Sequence, residues 1–523
     1  MAEDSTTSTE TIAPVWLRWV MPSGADLFFV VLLGALAFTP LSVRLLGDAG
    51  IGWHIRTGQQ ILATHAIPRV DPFSSTMQGQ PWFAWEWLYD VVAGRLESGL
   101  GLNGVVWLTA VVLAAVFGLL FRLLMRRGTH IFAAVILVLL AVSASMIHFL
   151  ARPHVVSWLF TLIWFAILDG DERRAVRGSG RASSARRRLW MFPLLMVVWV
   201  NLHGGFLVGF ILLAIFWLGA VWRFLTADAN RIEDALQKIA ARQRALVLAA
   251  VGLVSLAASL VNPYGWNLYR HIYVYLSNRF LMNHIDEFRS PDFHGAAQKC
   301  FLALLLITVA VLAARGRELR LSGVLTILFA VYAGLYASRN IPVSSLLLAI
   351  VIGPLAGVSW GERFSEKMTA VECSLRGHLW PILATVLTFV IAANGGRLGS
   401  STLMEAHFDP KRMPVAAIDF LSQRAARGPV LTTDSWGGYV IYRMYPQARV
   451  VLDDRHDLYG EKFFKAYLKM ERVEPGWEEF LRDHPAEYVV LPRESALTMM
   501  LLATGKRKQL YGDDVAVVFD GGR

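Results

Sequence analysis

Cysteine is almost missing: there are two in 523 residues. Cys300 falls at the outer end of an apolar run and Cys373 in a loop at the inner end, so neither an intramolecular disulfide nor a cysteine metal site is expected. Charge is also scarce, at 17%, against 55% hydrophobic residues and a mean hydropathy of +0.46. A soluble protein cannot hide that much apolar side chain. No repeat of fixed period runs through the chain, and the only low-complexity piece in its body is the Arg/Ser/Gly loop at 170–188. The formal charge of +10 could suggest nucleic acid. The cations, however, are spread over loops without interleaved aromatic platforms, which fits membrane lipids and topology and excludes a nucleic-acid partner.

The excess apolar residues are gathered into runs at about 25–46, 104–121, 130–150, 154–168, 189–202, 206–224, 245–261, 299–314, 322–338, 342–358 and 379–394. A span needs roughly 20 apolar residues, so about eleven transmembrane helices are expected. The block 189–224 is split at Asn201-Leu202-His203-Gly204-Gly205, because a hairpin fits its length. Loops carrying Arg122, Arg126 and Arg127, then Arg173, Arg174, Arg177, Arg181 and Arg186 to Arg188, then Arg223, Arg231, Lys238, Arg242 and Arg244, then Arg315, Arg317 and Arg320, alternate with loops poor in lysine. By the positive-inside rule these are cytoplasmic, and the other loops lie outside. Residues 1–23 are then a cytoplasmic tail, disordered over 1–13; 24–395 form the membrane domain with an outer loop at 47–103; and 396–523 form an outer domain. Ala35-Leu36-Ala37 imitates a signal cleavage site, but Glu3, Asp4 and Glu10 precede it, the wrong sign for a leader, so a retained helix is expected.

The outer loop is the densest in chemistry. Between Asp48 and Asp90 stand Asp71, Glu86, His54, His65, Arg56 and four tryptophans. Further polar residues fall on the same side: Arg152, His154, His203, Asn262, Tyr264, Arg339 and Asn340. Charges near hydrocarbon cost several kcal/mol unless paired or hydrated, so a one-sided set implies a shared polar cavity, although each arginine could also snorkel singly. From about Met404 helical and strand patterns alternate, which argues for a small α/β domain with a largely parallel sheet. Other roles stay open for these residues. Asp48 could cap a helix beginning near Ile51, and Asp71 before Pro72 could build a turn. Trp82, Trp85 and Trp87 suit an interfacial belt or a sugar platform. Glu86, an acid between two tryptophans, needs a partner, with Arg56 and Arg69 nearby. Asp453, Asp454, Arg455 and Asp457 could form a binding loop or an ion-pair network docking the domain.

The run Asp48, Trp53-His54, Arg56 and Gly58, then Ile67-Pro68-Arg69, Asp71-Pro72-Phe73-Ser74, Gly79-Gln80-Pro81-Trp82 and Glu86-Trp87-Leu88, resembles the first outer loop of bacterial members of the GT-C glycosyltransferase superfamily. Asn201-Leu202-His203-Gly204-Gly205, Asn262-Pro263-Tyr264-Gly265-Trp266, Ser290-Pro291-Asp292-Phe293 and Asp453-Asp454-Arg455 with Asp457-Leu458-Tyr459-Gly460 are similar to further blocks of one branch. The resemblance implies a multi-pass protein of the bacterial inner membrane. It implies an inverting hexosyl or pentosyl transfer at the outer face, from a polyprenyl-phosphate-linked sugar to a glycan, lipid or protein acceptor. Asp48 stands where the family's general base does; Arg152, His154, His203 and Arg339 would bind the lipid phosphate. His54, Arg56, Asp71, Glu86, Asn262, Tyr264, Asp454 and Arg455 would contact substrate. Relatives often show Asp-x-Asp where this chain has Asp48-Ala49-Gly50, so a divalent metal lacks its acid pair and no cofactor is assigned. That departure also keeps a non-catalytic binder or assembly factor for lipid-linked envelope glycans in view. A transporter fits less well, since few ionisable residues fall in span centres.

Overall fold

The computed structural model describes residues 16–176, 182–227, 232–357, 361–375 and 378–521. The expected disordered tail, Arg177 and Arg181 of the arginine loop, and Arg231 lie outside the described residues. Each of the eleven apolar runs contains a helix. Eight helices among the described residues are long and apolar enough to cross a membrane, and the bent pair Glu362–Ser374 and Leu379–Ala393 would make a ninth. The expected count of about eleven is reduced because Phe192–Leu202 and Leu321–Tyr336 have only 11 and 16 residues.

Local chemistry explains where several helices start and break. The Ser23 hydroxyl accepts from the Asp26 N–H, and the Asp26 carboxylate accepts in return from the Ser23 N–H, so a capping box opens Gly24–Phe38. The 40-residue helix Trp87–Arg126 is broken at Gly101, whose φ of 62° and ψ of −160° only glycine adopts readily. Its first part, up to Leu100, packs with Ile51–Thr64 over the end of the bundle. The loop at 47–103 is thus a helical layer.

Residues 415–520 form an α/β layer beyond it. Its five strands lie in the spatial order Ala448–Val450, Gly428–Leu431, Tyr488–Pro492, Ala516–Asp520, Gln509–Gly512. The first three are mutually parallel and the last two join antiparallel, so the sheet is mixed and not largely parallel. The cause is the connection 513–515, far too short for a crossover. The helix Ala496–Thr504 and the strand Gln509–Gly512 had no clear sequence pattern.

The two layers are joined at backbone level. The N–H of Ser75 donates to Val450 O at 2.8 Å, the N–H of Val450 to Phe73 O at 3.2 Å, and Thr76 Oγ1 to Val451 O at 2.6 Å. Residues 73–76 therefore cover the edge strand Ala448–Val450, which would otherwise expose unpaired backbone groups. The hydrophobic core runs without interruption from the bundle through Trp53 and Phe73 into Tyr439 and Val450.

Candidate active site

Asp48 lies in the turn leading into Ile51–Thr64. Its Oδ1 accepts from the Gly50 N–H at 2.7 Å, an Asx turn, while the helix N-cap is Gly50 and not Asp48. Oδ2 faces Arg152, whose Nη1 donates at 2.9 Å. The other arm of the guanidinium, Nη2, donates to Asp454 Oδ2 at 2.6 Å, and Asp454 Oδ1 accepts from Trp53 Nε1 at 2.9 Å. One arginine thus bridges a carboxylate of the first loop and one of the C-terminal layer. Burial works against the Arg152 charge, but Asp48 and Asp454 outweigh it and push its pKa upward. Burial pushes Asp454 up to about 6, with Arg152 opposing and Asp48 reinforcing.

Around this bridge stand the other polar groups. Glu86 lies between two imidazoles, its Oε1 3.6 Å from His203 Nε2 and its Oε2 3.8 Å from His54 Nε2. Burial pushes its pKa up to about 8, against the pull of Arg152 and Arg339. Ser157 Oγ at 2.8 Å and the Gly205 N–H at 2.9 Å both reach His203 Nδ1, making that nitrogen an acceptor and leaving the proton on Nε2, toward Glu86. Burial depresses the His203 pKa, so the ring is neutral. Arg339 Nη1 lies 3.6 Å from Glu287 Oε1, and its guanidinium covers the Phe288 ring at 4.4 Å. Burial would raise Glu287, but Arg339 and Arg152 hold it down at about 2. His154 Nε2 donates to His148 O at 2.9 Å. Asp48, Glu86, His154, His203, Glu287 and Asp454 all lie within electrostatic reach of Arg152, and Arg339 reaches Glu86, His203 and Glu287.

Other sequence candidates are used up as structure. Arg455, 3% exposed, pairs with Asp453 at 2.7 Å and with Asp71 at 2.8 Å, and lies over the Trp82 ring at 4.7 Å. Asp71 also accepts from the N–H groups of Phe73 and Ser74, so it builds its turn and docks the domain together. Neither Asp71 nor Arg455 contacts the Asp48–Arg152–Asp454 bridge. Arg56 donates to the Tyr442 carbonyl with Nε at 2.9 Å and with Nη2, clamping the helix Asp434–Met444. His54 is sealed in, stacked on Trp53 at 3.6 Å with Nδ1 2.6 Å from Asp90. Asn262 Nδ2 donates to Ser259 O, and Tyr264 OH accepts from the Ala84 N–H and donates to Pro68 O; both hold loop backbone.

Of the three tryptophans, Trp82 belongs to the core and not to an interfacial belt, while Trp85 and Trp87 are half-buried. Trp82 is 4% exposed in the core, Trp85 meets His271 edge-on, and Trp87 Nε1 donates to Asn201 Oδ1 at 2.7 Å. Sequence reasoning missed Glu287 and Ser157. Glu287 had a usable signal: an acid between Ile285 and Phe288, in a loop on the polar side.

Among the described residues no group of three or more His, Cys, Asp or Glu could hold a metal ion. Asp48 and Asp454 do not fit one either, since Arg152 stands between them.

No family model matches the chain, and no curated protein matches it. Solved structures do. An oligosaccharyltransferase of Archaeoglobus fulgidus, tethered with an acceptor peptide containing the NVT sequon, superposes with a TM-score of 0.57 at 13% identity, over 95% of this chain and 74% of that one. The archaeal oligosaccharyltransferase AglB from Archaeoglobus fulgidus, in complex with an inhibitory peptide and a dolichol-phosphate, gives 0.55 at 11%, over 95% and 74%. ArnT from Cupriavidus metallidurans in the apo state gives 0.52 at 16%, over 95% and 97%. These are GT-C membrane glycosyltransferases. The chain has the GT-C fold. At such identities the likeness concerns architecture: a helical membrane bundle, a helical first loop and a C-terminal α/β layer.

Proposed function

We propose that this GT-C protein is an inverting glycosyltransferase that moves a hexosyl or pentosyl group from a polyprenyl-phosphate donor to a hydroxyl or amide acceptor at the outer face of the inner membrane. The observation carrying this reading is the Asp48–Arg152–Asp454 bridge, set among Arg339, His154, His203 and Glu86 at the end of the bundle. The acceptor attacks the anomeric carbon from the face opposite the lipid phosphate and its proton passes to the Asp48 carboxylate, while the bond from carbon to phosphate oxygen breaks. Arg152 and Arg339 offset the charge on the departing phosphate, and neutral His203 can donate a hydrogen bond to it from Nε2, while the His154 proton is held by the His148 carbonyl. The dolichol-phosphate in the AglB complex supports a lipid phosphate as the donor's anchor. Sidedness follows from the arginine-rich loops at the opposite end. Donor sugar and acceptor are left to pocket shape, which the fold does not specify.

The bridge also favours a second reading. Asp48 is already neutralised by Arg152, so a protein that binds lipid-linked glycan without transferring it would look similar. Asp48→Asn, purified and folded, distinguishes the two. Transfer from a panel of polyprenyl-phosphate sugars should fall by about 10²-fold or more. Undiminished turnover removes Asp48 as the base, and donor binding with no transfer by the natural protein supports the binder.

A further inference from the structure

The helix His154–Val176 starts beside Arg152, and fifteen residues further on, about 22 Å along its axis at 1.5 Å per residue, it reaches a second ionic cluster. There Asp169, Asp171 and Glu172 are all buried. Asp169 pairs with Arg127 at 2.6 Å and with Arg173 at 2.9 Å; Asp171 pairs with Arg244 at 2.7 Å. Glu172 meets Arg244 at 3.4 Å and Arg320 at 3.8 Å and accepts from Ser322 Oγ at 2.7 Å. Arg223 lies within electrostatic reach of Glu172. Five guanidinium groups thus face three carboxylates, since the neighbouring Glu318 is taken by Arg315 at 2.7 Å.

Part of this cluster borders empty space. A cavity of about 270 Å³ is lined by Arg127, Arg173 and Arg320, by the carboxylates Asp169, Glu172 and Glu318, and by apolar residues that include Phe165, Phe216 and Val351, while the cations Arg223 and Arg244 stand behind it. Beside it, the buried Nε of Arg127 and Nη2 of Arg244 find no acceptor among the described residues. A buried donor left unmade costs about 1–3 kcal/mol, so the cluster is short of acceptors. Just along the membrane from the cavity, Leu218, Trp222 and Leu225 at the end of Gly204–Thr226 and Val324 and Leu328 at the start of Leu321–Tyr336 are exposed.

We propose that this cavity is a second lipid site, which takes the phosphate of an anionic membrane phospholipid on Arg127, Arg173 and Arg320 while its acyl chains lie along those apolar side chains. Guanidinium forks match phosphate oxygens better than any other side chain does. The half-apolar wall and the position at a helix-bundle end suit an amphiphile over a soluble anion. The bound lipid would tie the ends of three helices together at the face opposite the candidate active site.

Native mass spectrometry of the full chain in detergent, titrated with phosphatidylglycerol or phosphatidylcholine, tests this. Phosphatidylglycerol should bind preferentially, and removing two arginines by Arg127→Ala with Arg320→Ala should weaken it about 30-fold, at roughly one decade and a half for two charges. Val351→Phe, which fills the cavity and leaves every charge in place, should weaken it too, and decides the matter if the double variant does not fold. Equal phosphatidylglycerol affinity in natural and variant proteins makes the cluster purely structural and overturns the proposal. Displacement of phosphatidylglycerol by inorganic phosphate overturns the lipid occupant. Asp48→Asn should bind phosphatidylglycerol unchanged, so this site stands or falls apart from the glycosyl-transfer reading.

Discussion

At the residue scale, Glu86 is a carboxyl held in an environment that its sequence context does not announce. It has no cation in direct contact, only two imidazoles beyond 3.5 Å, and burial keeps its proton on to about pH 8. A carboxyl whose folded pKa lies above its unfolded value binds a proton more tightly when folded. Its contribution to stability is therefore complete below about pH 4.5 and is lost as pH rises toward 8. Thermal unfolding in detergent between pH 5 and 8 should show stability falling by up to about 1.4 kcal/mol per pH unit from this group. Glu86→Gln should remove that slope, and parallel pH profiles for variant and natural protein would show that Glu86 ionises normally.

At the element scale, the first loop is tied to the C-terminal layer by a buried ion-pair network as well as by its helices. Asp71 and Asp453 share Arg455 inside an aromatic box of Trp53, Phe73 and Trp82. Removing one member leaves the guanidinium half-compensated in a dry place. Asp71→Asn should cost about 3 kcal/mol, read as a lowered denaturation midpoint with unchanged helix content. A change within about 0.5 kcal/mol would mean that water reaches the pair. The same network explains how far the motifs could be read. Asp71 and Arg455 were visible as charged residues within the motifs, but whether they faced a substrate or each other depends on packing between elements distant in sequence.

At the scale of the whole molecule, the C-terminal layer is part of the candidate site, because Asp454 reaches an arginine 302 residues earlier in the chain. The approach depends on bare backbone. A Cβ on Gly438 would stand 2.3 Å from Ala49 O, and one on Gly52 would stand 2.1 Å from Gly438 O. Gly438→Leu should lift the layer off the first loop. Sugar transfer should be lost and tryptic cleavage between 395 and 412 should quicken, while circular dichroism keeps the helical signal of the bundle. Full activity in that variant would detach Asp454 from function.

The membrane bundle was legible without coordinates, because lipid demands long uninterrupted apolar runs and leaves them in contiguous residues. The α/β alternation was legible for the same local reason, down to the strand Tyr488–Pro492, although the short hairpin that turns the sheet mixed was not. One-sidedness of the polar residues also followed from counting spans. What the chain order left open was partnership: which carboxylate takes Arg152, whether Trp82 lies in lipid or core, and that Asp71 is spent on Arg455. Those choices rest on contacts of a few ångströms between segments hundreds of residues apart, where direction and distance decide the energy, and only the tertiary structure supplies them.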